Sequence, residues 1–253
     1  MGLFNKEQEE AVNEAVNTAQ QSESDDFLEQ DAGEGLDEYG EGTISIPYLA
    51  ITQQTSEAVE LGEIEPGHFR NSLTGEDYGT KILAVILGFK ICWTERDAAG
   101  KTIARYDPYD VEVTGDVYKG MINPKTGNKV QETWLYQLIL PEHLDAGFVV
   151  FSSSPGNMKY LKGWNTQVKF QRLPSGKPAP RHASVWELQI NPDVSKAGKK
   201  YFSNKGGIKR VGWISKDLYQ DFVLPGKESN QLALAAPPDQ PEEVEGEPEN
   251  QRY

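Results

Sequence analysis

Apolar residues crowd into the middle of the chain, and their spacing changes period along it. Lys81-Ile-Leu-Ala-Val-Ile-Leu-Gly-Phe-Lys-Ile-Cys-Trp93 is a nearly continuous apolar run, too long for one flat strand, and Gly88 inside it predicts a bend or bulge. A turn at Asp97–Gly100 leads into Lys101–Tyr106, its expected hairpin partner. A loop bearing Tyr106, Tyr109 and Tyr118 and a turn at Pro124–Asn128 precede two further strands, Glu132–Leu140 and Gly147–Ser152. The period then switches. Met158, Leu161, Trp164 and Val168 recur at helical spacing behind a Ser153 or Ser154 cap and Pro155, which predicts a helix up to about Leu173. Trp186, Leu188 and Ile190 alternate onto one face of a strand over Ala183–Ile190. Lys199–Asn204 and Ile208–Ile214 flank Lys205-Gly206-Gly207 as the arms of a Gly-Gly hairpin, and a short helix, Ser215–Phe222, closes the domain. Upstream, Pro66-Gly67 and Thr74-Gly75 are turn signals around a short strand bearing Phe69.

Long strand, hairpin, strand, strand, helix, strand, strand is the element order of an OB barrel, whose first strand is long and bent. The expected fold is therefore mainly β: a small OB-like five-stranded barrel with one helix between strands 3 and 4. A jelly roll or another small β-barrel tolerates the same order.

Composition narrows the class. An apolar fraction of 37% with 10% aromatics supplies a core. The lone Cys92 excludes an intramolecular disulfide framework and a Cys-based zinc site. The longest apolar run, Ile82–Phe89, falls far short of the roughly 20 residues needed to span a bilayer. A soluble, cytoplasmic protein is expected, in the host cytoplasm if the chain is viral.

The formal net charge of −14 speaks against a nucleic-acid partner until it is partitioned. Residues 1–43 hold thirteen acids and one base, and 228–253 hold seven acids and Arg252, giving −12 and −6. The middle, 44–227, carries +4, and within it 159–216 holds thirteen Lys/Arg against Glu187 and Asp193 alone, a local +11. Three regions follow: an acidic, mostly disordered N-terminal arm over 1–43, an OB-like β-barrel domain over 44–227, and an acidic, disordered tail over 228–253.

Catalysis finds little support, and no enzyme activity, cofactor or metal is expected. His68, His143 and His182 are scattered, there is no P-loop, and Ser152-Ser-Ser154 lacks a nucleophile elbow. Asp107-Pro-Tyr-Asp110-Val-Glu112 offers carboxylates for Mg²⁺, but at a spacing that matches no binding loop and reads better as a solvated one. The basic block is more informative. Phosphates call for Lys/Arg along a track, and unpaired bases call for exposed aromatic faces. The candidate nucleic-acid-binding residues are Lys159, Lys162, Lys169 and Phe170 on the helix, and Lys196, Lys199, Lys200, Tyr201, Phe202, Lys205, Lys209 and Arg210 on the loop and hairpin beyond it. Against this stand bland alternatives: Trp164, Trp186 and Trp213 sit in core-like patterns, Tyr201 and Phe202 point to opposite faces of a strand, and a basic hairpin can simply pair with the acidic arms.

An OB-like core, a basic surface and the acidic, Pro-containing tail from Ala235 to Glu249 resemble phage and bacterial single-stranded DNA-binding proteins. The resemblance implies a tail that recruits replication proteins and competes with DNA for the binding groove. The end, Glu249-Asn-Gln-Arg-Tyr253, departs from the contiguous acids of those tails because Arg252 dilutes the charge. Separately, Ile46-Pro-Tyr-Leu49 with Pro66-Gly-His-Phe-Arg-Asn-Ser-Leu-Thr-Gly-Glu76 is similar to the opening of uncharacterised tailed-phage proteins, which implies a viral origin. The leading expectation is a phage single-stranded DNA-binding protein. A virion structural or decoration protein and a DNA-mimicking inhibitor of a host enzyme are the alternatives.

Overall fold

A computed structural model describes residues 45–98, 100–116, 120–153, 155–195 and 198–225. The expected arms, together with Tyr118 and Lys196, lie outside the described residues. In chain order the strands are β1 (Tyr48–Ile51), β2 (Phe69–Asn71), β3 (Asp77–Gly79), β4 (Lys81–Arg96), β5 (Thr102–Tyr106), β6 (Thr114–Asp116), β7 (Gly120–Ile122), β8 (Lys129–Ile139) and β9 (Phe148–Ser152). They continue as β10 (Ser184–Gln189), β11 (Asn191–Val194), β12 (Lys200–Ser203) and β13 (Ile208–Trp213). The helices are α1 (Glu57–Glu60), α2 (Pro155–Phe170) and α3 (Lys216–Leu218), the last running on into a wider helical turn over Tyr219–Val223.

The long apolar run is one strand, β4, hydrogen-bonded antiparallel to β8 from Val85↔Ile139 to Arg96↔Lys129. Its register shifts between Ile86 and Gly88, where the sequence predicts a bulge. Before the bulge Ile82, Ala84 and Ile86 face the main core while Val85 and Leu87 face the opposite side. Beyond it Phe89 packs on the main core and Cys92 on the opposite side. One extra residue thus exchanges odd and even positions between faces, which is why the run reads as continuous rather than alternating.

Around this pair the sheet runs β13-β10-β4-β8-β9-β1-β2-β3, with β5 on the far half of β4 and β6–β7 joined to β8. The β1–β9 pair is parallel and the other pairs are antiparallel. Eleven strands form this curled, mixed half-barrel among the described residues, and its path stays open between β3 and β13. The mainly β expectation holds, and so does the order from the long strand through the helix to β10. The count of five does not. The additional strands come from the short segments before β4 and between β5 and β8, which carry too few apolar residues to register as periodic runs.

A second correction concerns the Gly-Gly hairpin. β12 pairs back with β11, forming a separate two-stranded sheet, while β13 pairs with β10. At the crossing Gly206 adopts φ +63°, and Gly207 lies flush on the main sheet, its carbonyl accepting from Gln189 N at 2.7 Å. A Cβ on Gly207 would fall 2.3 Å from the Gln189 carbonyl oxygen. The two glycines therefore carry the chain from one sheet to the other instead of reversing it.

α2 covers the main face, burying Leu161 and Trp164 against the strands. Trp164 stacks on Tyr136 at a centroid distance of 4.8 Å and meets Trp186 edge-on at 6.1 Å. The opposite face is covered by the closing turns, where Val223, Leu218 and Phe222 pack on Val85, Leu87 and Ile139. Around Val85, Leu87 and Ile139 the central strands are thus covered on both faces, as their near-continuous hydrophobicity requires.

At the far end of β4, Glu95 is 1% exposed and accepts from Tyr106 Oη (2.9 Å), Asn123 Nδ2 (2.8 Å), Thr126 Oγ1 (2.6 Å) and Asn128 Nδ2 (2.8 Å). Burial alone would raise its pKa, but the four hydrogen bonds outweigh it and hold the carboxyl at about 2. This carboxylate fixes the predicted Pro124–Asn128 turn to the sheet. Because the folded pKa lies below the ordinary 4.5, its stabilisation is present above pH 4.5 and lost as pH falls through 2. Glu95→Ala should lower stability at pH 7 by about 2–4 kcal/mol, since four buried donors lose a charged acceptor. Urea denaturation at pH 7, 4.5 and 2.5 should show wild type and variant converging in acid.

Candidate nucleic-acid interface

The two acids of the basic block organise its lysines. Asp193, on β11, is 4% exposed. Its Oδ2 accepts from Tyr160 Oη at 2.6 Å and Tyr201 Oη at 2.7 Å and lies 3.2 Å from Lys159 Nζ. Its Oδ1 takes the Val194 backbone N–H at 2.8 Å and Lys205 Nζ at 3.1 Å. The tyrosine hydroxyls first, with the Val194 N–H and Lys205 behind them, hold the Asp193 carboxyl far below the usual carboxylate range. In return, contact with Tyr160 and Asp193 raises the Lys159 pKa. This carboxylate joins α2 to the β11–β12 hairpin. Asn157 and Asn204 add a second tie, exchanging an Nδ2–H donation at 2.7 Å for a backbone N–H donation at 3.0 Å.

Glu187, on β10, plays the same part for the main sheet, with Lys209 Nζ at 2.8 Å and Lys81 Nζ at 3.3 Å. Lys209, ahead of Lys81, lowers the Glu187 pKa. Each acid is shared by two ammoniums, so each cluster keeps a net positive charge. Arg210 donates from Nε to Ser184 Oγ at 2.9 Å and lies over the Trp213 ring at 3.7 Å.

The structure therefore brings Lys159, Tyr201 and Lys205 together at the junction of α2 and the hairpin, leaves Lys199, Lys200 and Phe202 elsewhere on that hairpin, and puts Lys209 and Arg210 on the edge strand β13. Lys199 and Lys200 are exposed, as is Lys162 on α2. Lys169 and Phe170 sit at the other end of α2, Phe170 with 65% of its surface exposed. Tyr201 and Phe202 are half-buried: Tyr201 crowds Gly156, while Phe202 packs on the main core and over Gly67. Trp164 and Trp186 are core residues, but Trp213 is 39% exposed beneath Arg210. Trp93, near the far end of β4, is buried against Met121 and Val130.

Sequence reasoning did not single out a groove of about 390 Å³ beside the far end of α2. Ile86, Phe89, Tyr136, Asn165, Val168 and Ala179 line its interior, with the exposed cations Lys169 and Arg181 beside them. Only Lys169 belonged to the expected site. The groove joins a sheet face, a helix and the loop before β10, a conjunction that no linear spacing encodes.

Among the described residues no group of three or more His, Cys, Asp and Glu can hold a metal ion. Asp107 instead pairs with Lys90 at 2.6 Å. Among the same residues no helix is long and apolar enough to cross a membrane, which bears on helical spans alone.

Fold and surface together define a mainly β protein in which a buried carboxylate ties one helix to one hairpin and pairs with a lysine from each side. No curated protein and no solved structure matches the chain. A family model, described as Pam3 phage gp34-like protein, matches residues 16–222, and the chain belongs to that family. The membership agrees with the phage origin expected from the Ile46–Glu76 pattern.

Asp193→Asn should loosen the α2–hairpin junction and lower the thermal midpoint at pH 7. The stabilisation by ionised Asp193 is present above its ordinary value of 3.8 and is lost only as pH falls towards the depressed folded value. Thermal melts followed by near-UV circular dichroism from pH 7 to 2 should show the gap between the two proteins closing in acid.

Proposed function

We propose that this protein is a non-catalytic, single-stranded DNA-binding protein of a phage, binding with little sequence preference during DNA replication or recombination in the host cytoplasm. The observation that carries the reading is the Asp193 junction. It draws together two lysines far apart in sequence, Lys159 on α2 and Lys205 just past β12, while Lys199 and Lys200 on the same hairpin and Lys162 on the same helix stand exposed. Like charges are gathered in this way at an electrostatic cost that a polyanion relieves by releasing its condensed counterions. The likeness to OB-fold binders rests on element order and on charge layout, with the acidic C-terminal segment 228–253 as the part that competes for the basic face and recruits replication proteins.

Fluorescence anisotropy with oligo-dT tests the reading. Affinity should fall with salt along a log–log slope of about −0.7 for each phosphate neutralised. Lys199→Glu with Lys200→Glu should weaken binding at least tenfold and flatten that slope while leaving the melting curve in place, and deletion of 228–253 should strengthen binding. Absence of binding at low salt, for both the full chain and the tail deletion, would overturn the proposal.

A further inference from the structure

The groove beside α2 has the composition of a site for a flat, partly apolar anion. Its interior is aromatic and aliphatic: Tyr136 and Ile86 are buried, while the Phe89, Val168 and Ala179 side chains are half-exposed to it. Tyr136 donates its hydroxyl to Asn165 Oδ1 at 3.0 Å, so the hydrogen bonds that Asn165 offers to a ligand are donations from its amide nitrogen. Lys169 and Arg181 supply positive charge on the same groove, and no carboxylate among the described residues pairs with either. A volume of about 390 Å³ lies within the ordinary range for small-ligand sites, roughly 300–1,000 Å³.

We propose that this groove takes one nucleotide of the bound single strand. Its base lies against Phe89, a base carbonyl accepts from the Asn165 amide, and the flanking phosphates lie against Lys169 and Arg181. The proposal rests on the DNA-binding reading and adds to it a base-dependent contribution at a defined place. A helix of 16 residues spans about 24 Å. The Asp193 junction engages its first turns through Asn157, Lys159 and Tyr160, and the groove engages its last turns through Asn165, Val168 and Lys169. A strand laid along α2 therefore meets phosphate-binding lysines at one end and a base-sized recess at the other. This division assigns the two components of single-strand binding, backbone charge and base stacking, to the two ends of one helix.

Two oligomers of equal length separate these components: oligo-dT, and a chain of abasic sites with the same phosphates. Wild type should bind oligo-dT roughly tenfold more tightly than the abasic chain, within the range reported for stacking of one base. Phe89→Leu, which keeps an apolar side chain without an aromatic face, and Ala179→Trp, which fills the groove, should each bring oligo-dT binding down to the abasic level while leaving abasic binding unchanged. Lys199→Glu with Lys200→Glu should weaken both oligomers alike. Retention of the wild-type preference in a folded Ala179→Trp variant would overturn the groove. If neither oligomer binds wild type, the single-strand reading fails on its own account, and titration with thymidine monophosphate, followed by tryptophan fluorescence, decides the groove. Saturable binding that Ala179→Trp abolishes supports a nucleotide site, and absence of a saturable response overturns it.

Discussion

The antiparallel pairing of β4 with β8 is the constraint from which the rest of the molecule takes its position. It joins the near end of the domain, where Val85 meets Ile139, to the far end, where Arg96 meets Lys129. The bulge at Leu87 lets one strand present apolar residues to opposite faces in its two halves. Without it, either Phe89 or Ile86 would lie on the wrong side of the sheet. With it, the main face collects Tyr136, Trp164 and Trp186 into one aromatic stack under α2, and the helix is held where its polar side can meet the hairpin.

On that scaffold, buried carboxylates act as organising centres. Glu95 and Asp193 are both nearly inaccessible and both surrounded by donors, but they serve different ends. The partners of Glu95 are neutral hydroxyl and amide groups, so its charge is stabilised entirely by hydrogen bonding and the result is a rigid turn. Asp193 combines three hydroxyls, two of them the closer tyrosine groups, and a backbone N–H with two ammoniums, so it fixes the position of cations as well as of backbone. A carboxylate buried with one partner would be destabilising, and the number of donors around each of these offsets its desolvation.

Where the sequence carries a strong local signal, structure and expectation agree. The bend in β4, the hairpin with β5, the helix behind Pro155 and the alternation of Trp186, Leu188 and Ile190 are all local patterns, and all are present. β11 was not legible because Asn191-Pro-Asp-Val194 contains three residues that strands disfavour; it exists because Pro192 sits in a two-stranded sheet with an edge to spare and because Asp193 is anchored from α2. Gly206-Gly207 gave a hairpin signal that is indistinguishable, in a linear chain, from a crossing between sheets. In the candidate site, the crowding of Lys and Arg was legible from the +11 block, but the ion pairs that sort them were not. Asp193 contacts Tyr160 and Lys159 across more than thirty residues, and the groove draws on four separate segments.

The open end of the sheet has a bearing on how copies of the chain behave toward one another. β13 is bonded on one side only, and its other side leaves backbone donors and acceptors without a strand partner among the described residues. Val211 and Trp213 stand exposed there, the composition of an edge that invites another strand. The same few residues carry Lys209 and Arg210. Two such edges approaching each other would bring cation against cation at cross-strand distance, which disfavours the pairing. Lys209 and Arg210 thus guard the edge on which they sit against pairing with a second copy of itself.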